Sequence, residues 1–368
     1  DFRLTGGTLL RVTGGEGSKD EPYRITDIYG LQGMASAELL DRRFVLASDI
    51  DASGTGNWNC DGDTCAGFKP IGDAANPFAG SLDGGGYEIA GLVISRPEDD
   101  DVGLFGFTGE TSSIVNLILS GAVVHGKNRV GSLVGNSQGS VSDVSATAVQ
   151  VVGGTVVGGL LGANAGSVAR AWAAGQVTGD ETVGGFVGHN QSQGSMSWVS
   201  FEGGVSGGSV VGGLAGRSDG SVSLAYALGA VTGTSYVGGL AGQLAGSSEV
   251  SQVYFSGAVE GSEWVGGLAG ELSATLSDAY AAGSVTGTMN VGGLVGELTG
   301  ASVRRTYTTS VVSGSASVGG LIGKNAGGDV IASFFATTPL LRVLLAPLTV
   351  EVFDRDETYD GNTYGGTG

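Results

Sequence analysis

Glu271 and Glu297 each follow an equivalent Gly-rich segment and stand 26 residues apart. If each such segment opens one turn of a solenoid, the two carboxyls sit one strand spacing apart. Retaining glycosidases hold a nucleophile and an acid about 5 to 5.5 Å apart, so this pair could cut a glycosidic bond. The same place in the other units holds Asn136, Ala163, His189, Arg217, Gln243 and Lys324. That mixture reads equally as a polar edge, and a turn offers no obvious desolvation to raise the pKa of an acid. Two Gly-x-Ser-x-Gly matches, Gly135-Asn136-Ser137-Gln138-Gly139 and Gly216-Arg217-Ser218-Asp219-Gly220, have the spacing of a hydrolase elbow. That elbow needs a helix after the serine and a base beside it. No helical period follows here, and His125 and His189 are the only histidines.

Carboxylates also cluster in Glu98-Asp99-Asp100-Asp101 and at Asp61 and Asp63. They could give oxygens to Ca²⁺, although the spacing matches no complete calcium loop and a solvated charged loop explains it as well. Cys60 and Cys65, in Asn59-Cys60-Asp61-Gly62-Asp63-Thr64-Cys65, are close enough to close a small disulfide loop, which implies an oxidising compartment. Zinc would want further ligands of the same kind, and the histidines are far off in sequence.

A last column of side chains reads Ser145, Trp172, Ser200, Tyr226, Tyr254, Tyr280, Tyr307 and Phe334. Its neighbours are small or apolar, Ala225 and Ala227 for example, so strict alternation points the aromatics outward. An inward stack is the alternative, because solenoid corners break alternation. Outward, Trp172, Tyr226, Tyr254, Tyr280 and Tyr307 would meet the C–H faces of a polysaccharide at regular intervals. Thr178, Thr232 and Thr286 also share a column, which suggests ice binding, but Ser206, Glu260 and Ser313 interrupt it.

The elements that must position these columns follow from a repeat. Val-Gly-Gly-Leu-x-Gly or a relative begins at Val102, Val130, Val157, Val183, Val211, Val237, Val265, Val291 and Val318, in steps of 28, 27, 26, 28, 26, 28, 26 and 27 residues. Each unit holds three short β-like stretches and no helical period, too few strands for a propeller blade. A right-handed parallel β-helix is predicted, with each strand pairing to its equivalent one turn on and apolar columns forming the core. Gly makes up 72 of 368 residues without a collagen period, and 41% of the chain is apolar, so the chain should fold. Asp27 before Ile28, Leu31, Met34, Ala35 and Leu39 predicts an N-capped amphipathic helix.

The expected organisation is a cap and first turns over 1–50, early turns with the disulfide loop over 51–101, the repeat helix over 102–338, and a strand or linker over 339–368. A net charge of -19 would repel nucleic acid and anionic membranes. No apolar run is long enough to span a bilayer. The sequence starts within its pattern and shows no signal peptide, as an excised piece of a longer chain would.

The nine units resemble GLUG repeats, and Phe78-Ala79-Gly80-Ser81-Leu82-Asp83-Gly84-Gly85-Gly86-Tyr87-Glu88-Ile89, with Gly91-Leu92-Val93-Ile94, resembles the stretch that commonly precedes them. Thr349-Val350-Glu351-Val352 with Thr358-Tyr359-Asp360-Gly361 is similar to the opening of YDG-type (MBG) modules of filamentous-haemagglutinin-like adhesins exported by two-partner secretion. The resemblance implies a large secreted protein at the cell surface or in a biofilm matrix, with exopolysaccharide or a cell-surface glycan as partner and further modules on the same chain. GLUG-like repeats also accompany some secreted metalloproteases, but no His-Glu-x-x-His occurs here. The expected role is therefore a non-enzymatic stalk with a glycan-binding surface; the alternative is a β-helical glycosidase or lyase.

Overall fold

The computed structural model describes residues 2–3, 6–246 and 249–336. The predicted tail over 339–368 lies outside the described residues. The rest is a parallel β-helix. One turn consists of Ser235–Gly238, Ala241–Leu244 and Glu249–Glu260. Each strand pairs in parallel with its counterpart one turn on: Val237 with Val265, Ala241 with Ala269, Tyr254 with Tyr280. The second strand type builds a nine-stranded sheet running from Phe105–Thr108 to Ile322–Asn325. The first builds a seven-stranded sheet, and the long strands join a larger one.

The second and third stretches expected as separate strands are fused into single strands of 12 residues, such as Ser221–Thr232. The chain turns its corner inside the strand by putting one residue in the left-handed region. These residues are not glycines: Leu224 (φ 52°), Gln252 (φ 54°) and Asp278 (φ 52°) occupy the place on successive turns. The left-handed residue resets the alternation, so Val222, Ala225 and Ala227 all face inward.

The core is a set of columns. The repeat valines from Val102 to Val291 are fully buried. A further column alternates Ala173, Phe201, Ala227, Phe255 and Ala281, all buried and in register. The phenylalanines fall in the 28-residue turns and the alanines in the 26-residue turns. Each Phe ring lies on a repeat glycine: a Cβ on Gly239 would come within 2.2 Å of the Phe255 ring. The two short strands also approach backbone to backbone, and a Cβ on Gly238 would sit 1.9 Å from the Ala241 carbonyl oxygen. Burying a Phe side chain stabilises by roughly 1.5–3 kcal/mol, so these contacts hold the short strands against the long ones.

One interior column is polar. Asn164 Nδ2 donates to Asn190 Oδ1 at 2.8 Å, and Asn190 Nδ2 donates to Ser218 Oγ at 3.0 Å. Three turns on, the column is apolar: Leu244, Leu272 and Leu298.

A short helix, α1 (Ile28–Gly33), packs its apolar side onto the core at the first turns, and its N-cap Asp27 accepts a hydrogen bond from the Gly30 amide. Leu31 and Met34 are fully buried beneath it. Gln32, also buried, donates to the Lys69 carbonyl and accepts from the Lys69 amide, tying the cap to the following loop. The outer edge of the first strand, Tyr23–Ile25, is met by the Thr13 amide and the Gly14 carbonyl on Arg24, which hides groups that would otherwise template pairing with another chain.

Candidate functional site

The aromatic column forms as one in-register ladder: Ser145, Trp172, Ser200, Tyr226, Tyr254, Tyr280, Tyr307 and Phe334 pair in order. Ala225, Ala227, Val253 and Phe255, the flanking residues, belong to the continuous core, whereas Tyr226 and Tyr254 do not. The tyrosines therefore lie on the outer face of the long strands. They also stack on one another. Ring centroids are 4.9 Å apart from Tyr226 to Tyr254 and 5.2 Å for each of the next two steps, with planes within 9° of parallel. Outward direction and stacking, which the sequence set as alternatives, occur together.

The stack has a chemical consequence. Tyr254 uses both ring faces, on Tyr226 and Tyr280, and Tyr226 uses one, on Tyr254; they are 7% and 5% exposed although neither joins the continuous core cluster. Burial, and then the adjacent Tyr226 and Tyr280 and the Glu202 charge, push the Tyr254 phenol well above its ordinary range. What this ladder can offer a partner is a row of ring edges and hydroxyls, not the open faces expected from the sequence. In the same column Trp172 stands between Ser145 and Ser200.

Glu271 and Glu297 pair one turn apart, as their spacing predicts. Each already has a partner. Gln243 Nε2 donates to Glu271 at 2.7 Å, and Lys324 Nζ lies 2.7 Å from Glu297, whose side chain is only 13% exposed. The absence of desolvation expected at this turn is thus corrected. An aromatic pair accompanies the glutamates: Tyr236 and Trp264 stack at 4.5 Å and 5°. Burial, followed by the charges of Glu271, Glu297 and Glu263, raises the Tyr236 phenol above its usual range. Trp264 Nε1 is buried with no hydrogen-bond partner among the described residues. Sequence reasoning passed over this pair, although two aromatics before the repeat valine on successive turns were its signal.

Earlier in the same column His189 Nε2 lies 2.7 Å from Asp219, which also takes a bidentate contact from Arg217. Burial works against ionising Asp219, but the Arg217 and His189 bonds together outweigh it and hold the carboxyl below the usual range. The two serines of the Gly-x-Ser-x-Gly matches, Ser137 and Ser218, are fully buried, out of reach of any substrate.

Asp99 pairs with Arg96, Asp100 accepts from Asn128, and Asp101 pairs with Arg129. Among the described residues no three His, Cys, Asp or Glu side chains gather as metal ligands. Cys60 and Cys65 face each other across a two-stranded antiparallel hairpin and are disulfide-bonded. The column of Thr178, Ser206, Thr232, Glu260, Thr286 and Ser313 is in register and interrupted, as its sequence requires.

No helix among the described residues is long and apolar enough to cross a membrane. No family model matches the chain. Over 166 residues, 44% of its length, the chain is 39% identical to halomucin of Haloquadratum walsbyi, of which this covers 2%. Over 135 residues, 36% of its length, it is 37% identical to a candidate Gly-rich membrane protein of Evansella cellulosilytica, of which this covers 15%. The matched segments are thus small parts of both relatives. Among solved structures, a candidate immunoglobulin A1 protease from Bacteroides ovatus superposes with a TM-score of 0.50 at 18% identity, covering 88% of this chain and 87% of that one. At that identity the likeness is one of fold, and the fold is a parallel β-solenoid.

Proposed function

We propose that this segment is a rigid stalk of a secreted adhesin, which spaces other modules from a cell surface or matrix and presents its exterior aromatic strip to extended glycans. The observation that carries this reading is the parallel register, which holds like side chains one strand spacing apart along the repeat with one shift, between Ala146 and Val149. A solenoid of this kind transmits position along one axis, and its surface repeats with the period of its turns. The disulfide supports an oxidising, extracellular location, as does the likeness of part of the chain to halomucin. Within this reading the turns are GLUG-type repeats, and the parent protein is a two-partner-secreted adhesin of cell aggregation or a biofilm matrix. Catalysis is not part of the proposal, because Glu271 and Glu297 are each held by a neighbouring side chain.

The stalk is tested by solution scattering, where a radius of gyration near the globular value of about 2.2·N^0.38 Å would overturn it. The strip is tested by replacing Tyr254 and Tyr280 with Phe, which keeps the stack and removes its hydroxyls. We expect an unchanged melting temperature and reduced retention on immobilised polysaccharide. Unchanged retention would remove the tyrosines from the contact and leave the stalk standing.

A further inference from the structure

The tyrosine ladder holds a chemistry beyond surface contact. Parallel strands in register give Tyr226, Tyr254, Tyr280 and Tyr307 the same place on four successive turns. Their centroids lie 4.9, 5.2 and 5.2 Å apart with planes 7 to 9° from parallel. That spacing exceeds the roughly 3.5–4.0 Å contact of two carbons, so each ring is slid sideways and its edge overlies the face of the next.

A phenol that loses one electron and its hydroxyl proton becomes a phenoxyl radical, with unpaired spin on the oxygen and on ring carbons that include the two ortho positions. In free solution two such radicals must meet by diffusion before they join. The ladder holds the partners side by side, which is the advantage of an intramolecular reaction over a bimolecular one. The surroundings favour the same outcome. Both cysteines, whose thiols would compete for the oxidant, are locked in the disulfide. Tyr226 and Tyr254 are 5% and 7% exposed, so a radical there is shielded from other chains and has a neighbouring ring as its partner. Burial holds the Tyr254 phenol protonated across the ordinary pH range, so its proton leaves only when its electron does.

We propose that the ladder is an oxidative cross-linking site, at which a small one-electron oxidant joins tyrosines of successive turns as dityrosine. Two equivalents of the oxidant take one electron from each of two neighbours, and the two hydroxyl protons pass to water. The radicals combine through a carbon–carbon bond between ortho carbons, and the hydrogen on each of those carbons moves to its oxygen and restores the phenol. The pair is then two hydrogens lighter, and two turns are tied through their side chains. Carbonate radical and similar radicals formed from peroxide belong to this class of oxidant, and the disulfide fits an oxidising compartment. The site is independent of the glycan reading, since it needs neither an open ring face nor a bound sugar.

The test is photo-oxidation of the full chain with tris(bipyridine)ruthenium and persulfate, followed by cleavage after glutamate. Glu249, Glu260, Glu263, Glu271 and Glu297 put the four tyrosines on separate peptides, so each link is read by mass spectrometry. Links from Tyr254 to Tyr226 or Tyr280, within one chain, are expected as the main product. Tyr29 and Tyr87, 40% and 38% exposed, are the internal comparison, because they would dominate and would join separate chains if access alone decided. Replacing both Tyr254 and Tyr280 with Phe keeps the rings and should lower the dityrosine yield at least about tenfold, and unfolding the wild type in guanidinium chloride should lower it as far. A yield unchanged by the double replacement or by unfolding, links chiefly through Tyr29 or Tyr87, or no link at all overturns the site.

Discussion

Asn190 sits fully buried in a column that elsewhere carries leucine, so its amide is a choice of chemistry and not of shape. Replacing Asn190 with Leu takes the acceptor from Asn164 and the donor from Ser218, and an unsatisfied buried polar group costs about 1–3 kcal/mol. A thermal melt should show that loss, whereas Leu272→Val, an apolar change in the same column, should cost less. Asp219 gives a pH-dependent counterpart. Its folded pKa is depressed, so the stability it contributes is complete above the unfolded carboxylate value near about 3.9 and disappears as pH falls through the folded value. Asp219→Asn should therefore melt below the wild type at pH 7, and the gap should narrow steadily once the pH drops below about 4. At this scale the columns were legible in the sequence because identical residues must stack one turn apart. Which groups spend their bonding on each other was not: the partners of Glu271 and Glu297 come from Gln243 and Lys324, one turn to either side.

The elements depend on two kinds of bend. At the first, Gly238 lies against the Ala241 carbonyl of the second short strand and Gly239 against the Gly267 carbonyl and the Phe255 ring, so neither has room for a side chain. Gly239→Ala must displace the Phe255 ring and should cost at least the roughly 1–3 kcal/mol typical of overpacking, read from a denaturant midpoint. At the second, Gln252 holds φ 54° on an exposed corner. A left-handed L-residue costs roughly 1–2 kcal/mol, and glycine returns about 0.5–1 of that through chain entropy, so Gln252→Gly should raise the melting temperature slightly. A fall would show that the Gln252 side chain contributes more than its exposure suggests. Gly229 reads as a break between two stretches, yet the strand Ser221–Thr232 runs through it and the corner lies at Leu224 instead. Leu224, Gln252 and Asp278 carry no turn signature, and only the backbone reveals that the chain bends there. The helix α1 was legible because Asp27 and the apolar spacing after it are local signals. The tyrosine ladder was half legible: alternation gave its direction, but the covered ring faces depend on the spacing between turns.

At the scale of the whole molecule, the five turns from Ala173 to Ala281 are built in pairs. Phe201 and Phe255 fill the interior on alternate turns, with Ala173, Ala227 and Ala281 between them. Deleting residues 211–264 removes two turns and brings Phe201 beside Ala281, preserving large against small. Deleting 211–236 removes one turn and sets Phe201 against Phe255, where two rings must share space shaped for one. The longer deletion should therefore give the more stable protein, despite losing about twice as many residues, and its rod should shorten by about 9.6 Å, two strand spacings. Equal stability of the two variants in a denaturant titration would show that the interior repacks freely. The same parity bears on how such a chain changes over generations. Near-identical gene segments invite misaligned recombination, which adds or removes repeats whole. If single-turn products misfold and double-turn products survive, lineages of this protein should differ in length by multiples of the 54 residues from Val183 to Val237 or from Val211 to Val265. Heredity would then count in pairs what the eye counts in turns.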